Sequence, residues 1–503
     1  MAQSSTNRNI VAIITMCFIF AMISFVTNMG APFGNIWGEH FPFAKAWGNL
    51  MNFAAYLFMG IPAGKMLVKY GYKKTALTAL IVGIIGLVIQ YLSSHLGAAT
   101  EVFTWKGYET TKWVHGIKET FTSDIHVTLN LFIYMLGAFV CGFCVCMLNT
   151  VVNPMLNLLG GGGNKGNQYI QIGGTLNSLT GTLTPLLAGI LVGEVTKKTS
   201  MNQVAPLLFI GIAVFAVSFL IISKVSIPEP TLGKKQPKYE KSPLAFRHCL
   251  LGVIAIFFYV GIEIGIPMEL NFYVTDFTKG IAALGGAFAA AYWFLMMIGR
   301  ACSSALSGKI STRMQLSFVS SVAIVLLLLA IFIPKNKTVN VPNFIYNPIK
   351  KTSEILKKAE IPEETISKFI VTKDAKLLDE YKDNLRNEDI DKTVDEIISN
   401  LETPQIPISA FIIFLCGLCT SIMWGGIFNL SVEGLGKYTE AASGIFMTLV
   451  VGGGIMPLIQ ESLANSPKIG IINSYWLVIA MLAYILFYAL IGSKNVNKDI
   501  PVD

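Results

Sequence analysis

The chain has 503 residues, 53% of them hydrophobic and only 14% charged, with a formal net charge of +8 and a mean hydropathy of +0.59. A soluble domain of this size needs far more charge to cover its surface, so a soluble enzyme or binding module is excluded. Apolar runs of about 20 residues suffice to cross a hydrocarbon core. About twelve of them begin near Ile10, Trp47, Thr75, Val127, Tyr169, Val204, Cys249, Ala283, Leu316, Pro407, Ala441 and Ile471, so the chain reads as an all-α, multi-pass membrane protein.

The first run, 10–30, is too long for a signal-peptide core and has no small-residue cleavage site, so it is a retained span. It ends with Thr27 and Asn28 ahead of Pro32. Between spans two and three, Lys65, Lys69, Lys73 and Lys74 form a basic segment without an acid. Span four carries Asn149, Asn153 and Asn157 at i, i+4 and i+8, on one helix face, and span five carries Gln171, Thr175, Asn177, Ser178 and Thr182. Neutral amides match sugar hydroxyls, each both donor and acceptor, without the desolvation penalty of a charge. The same amides also hold helices to one another.

The central connection, 224–247, sets Lys234, Lys235, Lys238 and Lys241 against Glu229 and Glu240, and divides a first bundle (1–223) from a second (248–503). Arg300, Lys309 and Arg313 mark the loop after span eight. With an even number of spans these cations share one side with both termini, and short basic loops stay cytoplasmic. The net positive charge is then a topology signal for an inner-membrane protein, not a nucleic-acid footprint. No Lys or Arg is read deep within a span, which argues against an acidic solute.

Span seven holds Glu263, within Phe-Phe-Tyr-Val-Gly-Ile-Glu-Ile-Gly-Ile-Pro at 257–267, as the acid placed well inside the membrane. Glu269 lies nearer the outer end and Glu461 near a span terminus. A carboxylate at that depth is either a proton carrier or a structural hydrogen-bonding group. Tyr259, one turn earlier, is its partner or a sugar contact. Trp424, Tyr292 and Trp293 offer faces for a sugar's apolar side, or pack against lipid.

Two outer loops, 96–125 and 335–405, fall at equivalent positions of the two halves. Within the second, 352–359, 374–381 and 391–398 have apolar pairs at helical spacing, predicting a small helical cap. Its role is a solvated insertion, a substrate-capturing lid or a docking site. All eight cysteines lie in apolar runs and read as packing residues; the Cys141, Cys144 and Cys146 cluster has no His or acid beside it to complete a metal site. Tyr56 with Tyr292, Gly142 with Gly417, and Pro185 with Pro457 recur in the same order in both halves, as parallel repeats require. Glycine-rich stretches at 181–193 and 452–454 suit either close static packing or helices that slide.

Four motifs carry a family resemblance: Leu-Asn-Thr-Val-Val-Asn-Pro at 148–154, Gly-Thr-Leu-Asn-Ser-Leu-Thr-Gly at 174–181, Phe-Tyr-Val-Gly-Ile-Glu-Ile-Gly at 258–265, and Gly-Leu-Gly-Lys-Tyr-Thr-Glu at 434–440. The last follows Met-Trp-Gly-Gly-Ile-Phe-Asn-Leu at 423–430. The chain resembles the fucose permease branch of the major facilitator superfamily, the fucose–galactose–glucose:proton symporters, over most of its length except the two outer loops. The resemblance implies twelve transmembrane helices in two pseudo-symmetric six-helix bundles, with a small helical insertion between spans nine and ten. It implies a monomer that needs no cofactor and imports a neutral monosaccharide with protons by alternating access. Substrate contacts are then expected from Asn28, Asn149, Asn153, Gln171, Asn177, Tyr259, Tyr292, Trp424 and Asn429. The departures are specific. Asn149 stands where the family places a glutamate, Gly174 stands at its glutamine with Gln171 one turn away, and no acid falls between Phe25 and Asn35. Proton coupling is therefore expected at Glu263. The alternatives are a facilitative uniporter, a transporter of a nucleoside, amino sugar or small glycopeptide, and a transporter-like membrane sensor. No paired acids, Ser/His/Asp set or metal constellation supports a membrane enzyme.

Overall fold

The computed structural model describes residues 2–44, 47–114, 117–192, 201–229, 240–278, 282–343, 347–386, 390, 393–399, 401–497 and 500–502. Lys234, Lys235, Lys238, Gly193 and Asp391 lie outside these residues. The chain begins with α1 (Ala2–His40) and α2 (Trp47–Leu92), followed by a hairpin of β1 (Glu101–Val114) and β2 (Ile117–Thr128). Next come α3 (Leu129–Leu159), α4 (Gly163–Val192) and α5 (Ala205–Lys224). Beyond the central connection lie α6 (Arg247–Phe277), α7 (Ala282–Leu306) and α8 (Thr312–Phe332). Strand β3 (Thr338–Asn340) then leads into the cap helices α9 (Pro348–Lys358), α10 (Glu363–Thr372), α11 (Lys382–Leu385) and α12 (Val394–Ser399), and β4 (Gln405–Pro407) leads out. The chain returns to the core through α13 (Ile408–Thr420), α14 (Met423–Ser431), α15 (Thr439–Thr448), α16 (Gly452–Ala464) and α17 (Gly470–Phe487).

Among the described residues, ten helical segments are long and apolar enough to cross a membrane. One of them, Pro42–Leu92, has 51 residues, about twice what a crossing needs. It breaks at Gly71, where φ is 82° and ψ 176°, a backbone that only glycine adopts without strain. The carboxylate of Glu229 fills the space a side chain at Gly71 would need. It accepts the backbone N–H groups of Tyr72 at 2.7 Å and Lys73 at 2.8 Å, an anion seated on the unsatisfied donors at the start of the second helical arm. Helix α4 has 30 residues and carries Gln171, Thr175, Asn177, Ser178, Thr180, Thr182 and Thr184 along its length.

The expectation of an all-α chain is corrected at 96–125. That loop is an antiparallel hairpin, with Trp105 opposite Ile125 and Tyr108 opposite Ser123, and with irregularities between Glu101 and Phe103 and between Trp105 and Tyr108. Its β-branched and aromatic residues fit a pleated ribbon better than a helix. The cap at 348–401 is helical and closes around its own apolar cluster, in which Leu356, Ile366, Phe369, Leu378, Leu385 and Ile397 are buried. A short β3–β4 ladder, Thr338 opposite Pro407, closes its base.

Two of the residue pairs that repeat in the sequence, Gly142 with Gly417 and Tyr56 with Tyr292, make corresponding contacts. A side chain at Gly142 on α3 would collide with Ala55 and Asn52 on α2, and one at Gly417 on α13 would collide with Tyr292 on α7. Asn149 Nδ2 donates to Tyr56 Oη at 2.9 Å, and the Tyr292 and Thr420 hydroxyls bond at 2.7 Å. Large apolar side chains such as Phe58, Phe318 and Phe332 are exposed on the outer surface of the helices, as lipid contact requires. Seven cysteines are buried and Cys302 is exposed, all of them free.

Candidate functional site

Each of several helices contributes one face to a single cavity of about 770 Å³. On α6 the lining residues are Val260, Glu263, Ile264, Pro267, Met268, Asn271 and Phe272, a stripe at the i, i+3, i+4 spacing of one helical face. Phe20, Ser24, Thr27 and Asn28 form the corresponding stripe on α1, and Ile170, Gln171, Gly174 and Asn177 that on α4. Asn49, Phe53 and Tyr56 line it from α2, Asn149 from α3, Ala289, Trp293 and Arg300 from α7, and Trp424 from α14. The wall is thus rich in neutral amides with aromatic rings between them.

The cavity extends to Pro42, Phe43, Trp47 and hairpin residue Tyr108. There the rings of Phe43 and Trp47 lie 5.2 Å apart, and those of Trp105 and Tyr108 also 5.2 Å. At the opposite face the two parts of the chain are joined. Asn157 Nδ2 donates to Asn429 Oδ1 at 2.6 Å, Asn167 Nδ2 to Ser307 Oγ at 3.0 Å, and the Thr312 N–H to Asn164 Oδ1 at 3.2 Å. Gly64 on α2 and Gly444 on α15 approach so closely that a side chain on either would meet the other's backbone.

Arg300 corrects the expectation that it marks a loop and that no cation lies deep in a span. It sits within α7, only 6% exposed, and its Nη2 is 2.9 Å from Glu263 Oε1. Its Nε donates to the Ser421 carbonyl at 3.0 Å, and its Nη1 to Ser178 Oγ at 2.7 Å and the Gly174 carbonyl at 3.1 Å. One guanidinium therefore binds α6, α4 and the break between α13 and α14. Gln171 Nε2 reaches the same break, donating to the Ile422 carbonyl at 3.0 Å. Irregular backbone at this depth is tolerated because side chains satisfy the freed carbonyls beside a cavity.

Asn28, Asn149, Gln171, Asn177, Glu263 and Trp424 all line the cavity. Asn177 Nδ2 donates to the Phe20 carbonyl at 2.8 Å, and Asn28 Nδ2 to the Ser24 carbonyl at 2.9 Å, so both side chains are held in place. Four expected contact residues stand behind the wall. Asn153 accepts from Trp424 Nε1 at 3.0 Å and so positions that ring. Tyr259 is fully buried with its ring 6.3 Å from that of Trp424. The Tyr292 hydroxyl is engaged by Thr420, and Asn429 belongs to the seal. The asparagine face of α3 is therefore divided: Asn149 meets the cavity, while Asn153 and Asn157 reach across to α14.

Sequence reasoning missed Arg300, Asn49, Asn271 and Glu461. The signal for Arg300 was the run Ala-Cys-Ser-Ser-Ala-Leu at 301–306, small residues that continue the helix beyond the charge. Asn271 lies two turns beyond Glu263 on the same face. Glu263 is also not the sole acid inside a span, since Glu269 is fully buried and Glu461 lines the cavity.

The Major Facilitator Superfamily model matches residues 10–345. The chain is 26% identical over 455 residues to a glucose/galactose transporter of Brucella abortus (strain 2308), covering 88% of this chain and 84% of that protein. It is 24% identical over 461 residues to a putative glucose/galactose transporter of Helicobacter pylori (strain J99), covering 88% and 86%. Among solved structures it is similar to the E. coli fucose:proton symporter FucP, at 16% identity over 97% of this chain and 99% of that one, with a TM-score of 0.67. A bacterial homologue of the iron transporter ferroportin matches at 11% identity over 95% and 98%, with a TM-score of 0.56. These structural likenesses concern the fold, and they imply a twelve-helix arrangement.

Proposed function

Since the chain belongs to the Major Facilitator Superfamily, and is a transporter of that family rather than an enzyme, we propose that it imports a neutral monosaccharide or related sugar together with protons, by alternating access. The two halves are 1–223 and 248–503, joined by 224–247, each a six-helix bundle, with 335–405 as an extracytoplasmic insertion. The paired Gly142 and Gly417 contacts support that division. The basic connection then lies in the cytoplasm with both termini, at the inner membrane, and the protein works as a monomer.

The observation that carries the reading is the character of the wall. Asn28, Asn49, Asn149, Gln171, Asn177 and Asn271 offer neutral donors and acceptors beside Trp293 and Trp424, which suits a ring with polar edges and apolar faces. The wall's cation, Arg300, is matched by Glu263 at 2.9 Å. A neutral solute therefore fits better than an anion, despite the arginine. Asn28, Asn149, Gln171, Asn177 and Trp424 contact the solute directly. Asn153 and Tyr259 position Trp424, while Tyr292 and Asn429 brace the helices.

Alternating access follows from the asymmetry of the cavity. It extends to the hairpin and is sealed at the opposite face; rocking the halves breaks the Asn157–Asn429 and Asn167–Ser307 bonds there. Arg300 binds elements of both halves, so it must let go during that motion. A proton on Glu263 would neutralise that carboxylate and release the Arg300 guanidinium from α6, linking proton uptake to rearrangement of the wall.

The decisive test is uptake by proteoliposomes of a panel of labelled monosaccharides, with and without an imposed proton gradient. Accumulation above equilibrium with the gradient supports the proposal. Equilibration indifferent to the gradient points to a uniporter, and binding without transport to a sensor. Replacing Glu263 with Gln should abolish uphill accumulation while leaving counterflow exchange measurable. Unaltered accumulation removes Glu263 from the coupling step.

A further inference from the structure

Helices α6 and α16 bury a second polar cluster, apart from the Glu263–Arg300 pair. The two helices run side by side and in step. The space for a side chain at Gly452 is taken by the Phe257 carbonyl, that at Gly261 by Met456, and that at Gly265 by Gln460 Oε1. Glu269 lies one turn beyond Gly265 on the same face of α6, so it enters the same seam beside Gln460. Glu269 and Gln460 are both fully buried, and among the described residues neither carboxylate oxygen of Glu269 nor either polar atom of Gln460 has a hydrogen-bond partner. Glu461, the neighbour of Gln460 on α16, lies within electrostatic reach of Glu269, and it lines the cavity.

Among the described residues, the other titratable groups around this seam offer Glu269 no counter-charge. Tyr475 on α17 donates its hydroxyl to the Ile266 carbonyl at 3.2 Å. Tyr273 on α6 is bonded to Ser409 at 2.9 Å, and Cys416 on α13 is a buried thiol near Tyr475. Arg300 is committed to Glu263, Ser421, Gly174 and Ser178. Among the described residues, an ionised carboxylate at Glu269 would thus be buried without donor or cation, within reach of a second carboxylate. That is the least favourable state such a group can occupy.

We propose that Glu269 is a proton-binding site, loaded from and emptied into the cavity through Glu461, and distinct from Glu263. Cavity water delivers a proton to the Glu461 carboxylate. Transfer then breaks that O–H bond and forms one on Glu269, moving the negative charge from the seam to the wet wall. The Gln460 amide, otherwise unpartnered, supplies an acceptor for the new hydroxyl. The inference rests on the transporter reading only in taking the cavity to be open to water.

Infrared difference spectroscopy of the purified full-length protein, with no solute present, tests it directly. At neutral pH the wild type should show a protonated-carboxyl C=O stretching band. The band should be lost in Glu269→Gln and kept in Glu263→Gln. In Glu461→Gln, which removes the facing negative charge, the band should titrate away at lower pH than in the wild type. Persistence of the band in Glu269→Gln overturns the assignment, as does its absence from the wild type. Loss of the wild-type band on adding sodium at fixed pH also overturns it, in favour of a metal-cation site. No solute enters this measurement, so failure of the sugar-uptake assay with the band intact rejects the sugar reading alone.

Discussion

Arg300 and Glu263 show how a charge survives inside a membrane protein. Their side chains are only 7% and 12% exposed, and every other contact of the guanidinium named above goes to a carbonyl or hydroxyl oxygen. Removing one member of a buried pair leaves the other uncompensated, which costs about 3–5 kcal/mol. Arg300→Met should therefore lower the thermal unfolding midpoint of the purified protein sharply. Combining it with Glu263→Gln should restore part of the loss, because the stranded carboxylate is gone. A double variant as unstable as Arg300→Met would mean that the contacts to Ser421 and Ser178, not the ion pair, carry the stabilisation. Asn153 makes a quieter version of the same point. It touches no solute space, yet it fixes the ring of Trp424 that does.

At the level of elements, the seal depends on helices that lack side chains where they meet. A β-carbon at Gly444 would come within 2.7 Å of the Gly60 carbonyl and 2.8 Å of Gly64 Cα. Gly444→Val should destabilise the sealed arrangement by about 1–3 kcal/mol, the usual penalty of overpacking. The readout is faster labelling of a cysteine placed at Asn167, within the seal. The hairpin carries a different dependence. The Thr104 hydroxyl and His126 beside it hold the Glu101 carboxyl below the usual carboxylate range. A lowered acid stabilises the folded form above its ordinary range, and that contribution is lost as pH falls through the lowered value. Hydrogen exchange across 101–128 should accordingly quicken in acid, and Glu101→Gln should remove that part of the pH response.

At the scale of the whole molecule, the cap is a body of its own. Phe369, Leu378 and Leu385 pack within it, in a cluster separate from the membrane core. Its surface ion pairs, such as Lys351–Glu354 at 3.1 Å and Lys382–Asp379 at 2.9 Å, are exposed and contribute little. Replacing 348–401 by a short linker, with the β3–β4 ladder retained, should leave membrane insertion and the unfolding midpoint of the helical core unchanged. Uptake kinetics of that variant then separate a solvated insertion from a lid. An unchanged half-saturating solute concentration supports the former, and a raised one the latter.

Hydrophobic runs and helical periodicity determined much of this protein without any coordinates. The multi-pass helical character and the helices of the cap follow from local rules, in which each residue's neighbours in sequence are also its neighbours in space. The amides of α3 and α4 and the acid at Glu263 were legible for the same reason, since a polar group in hydrocarbon must face something other than lipid. Tertiary structure alone decided what each faces. Asn149 turned to the cavity and Asn157 to Asn429, although both share one helical face. Only packing could draw Arg300 from an apparent loop to Glu263, 37 positions away in sequence, or bury Glu269 without a hydrogen-bond partner among the described residues. A charge in sequence carries no record of its counter-ion; that pairing exists only once helices distant in the chain are brought side by side.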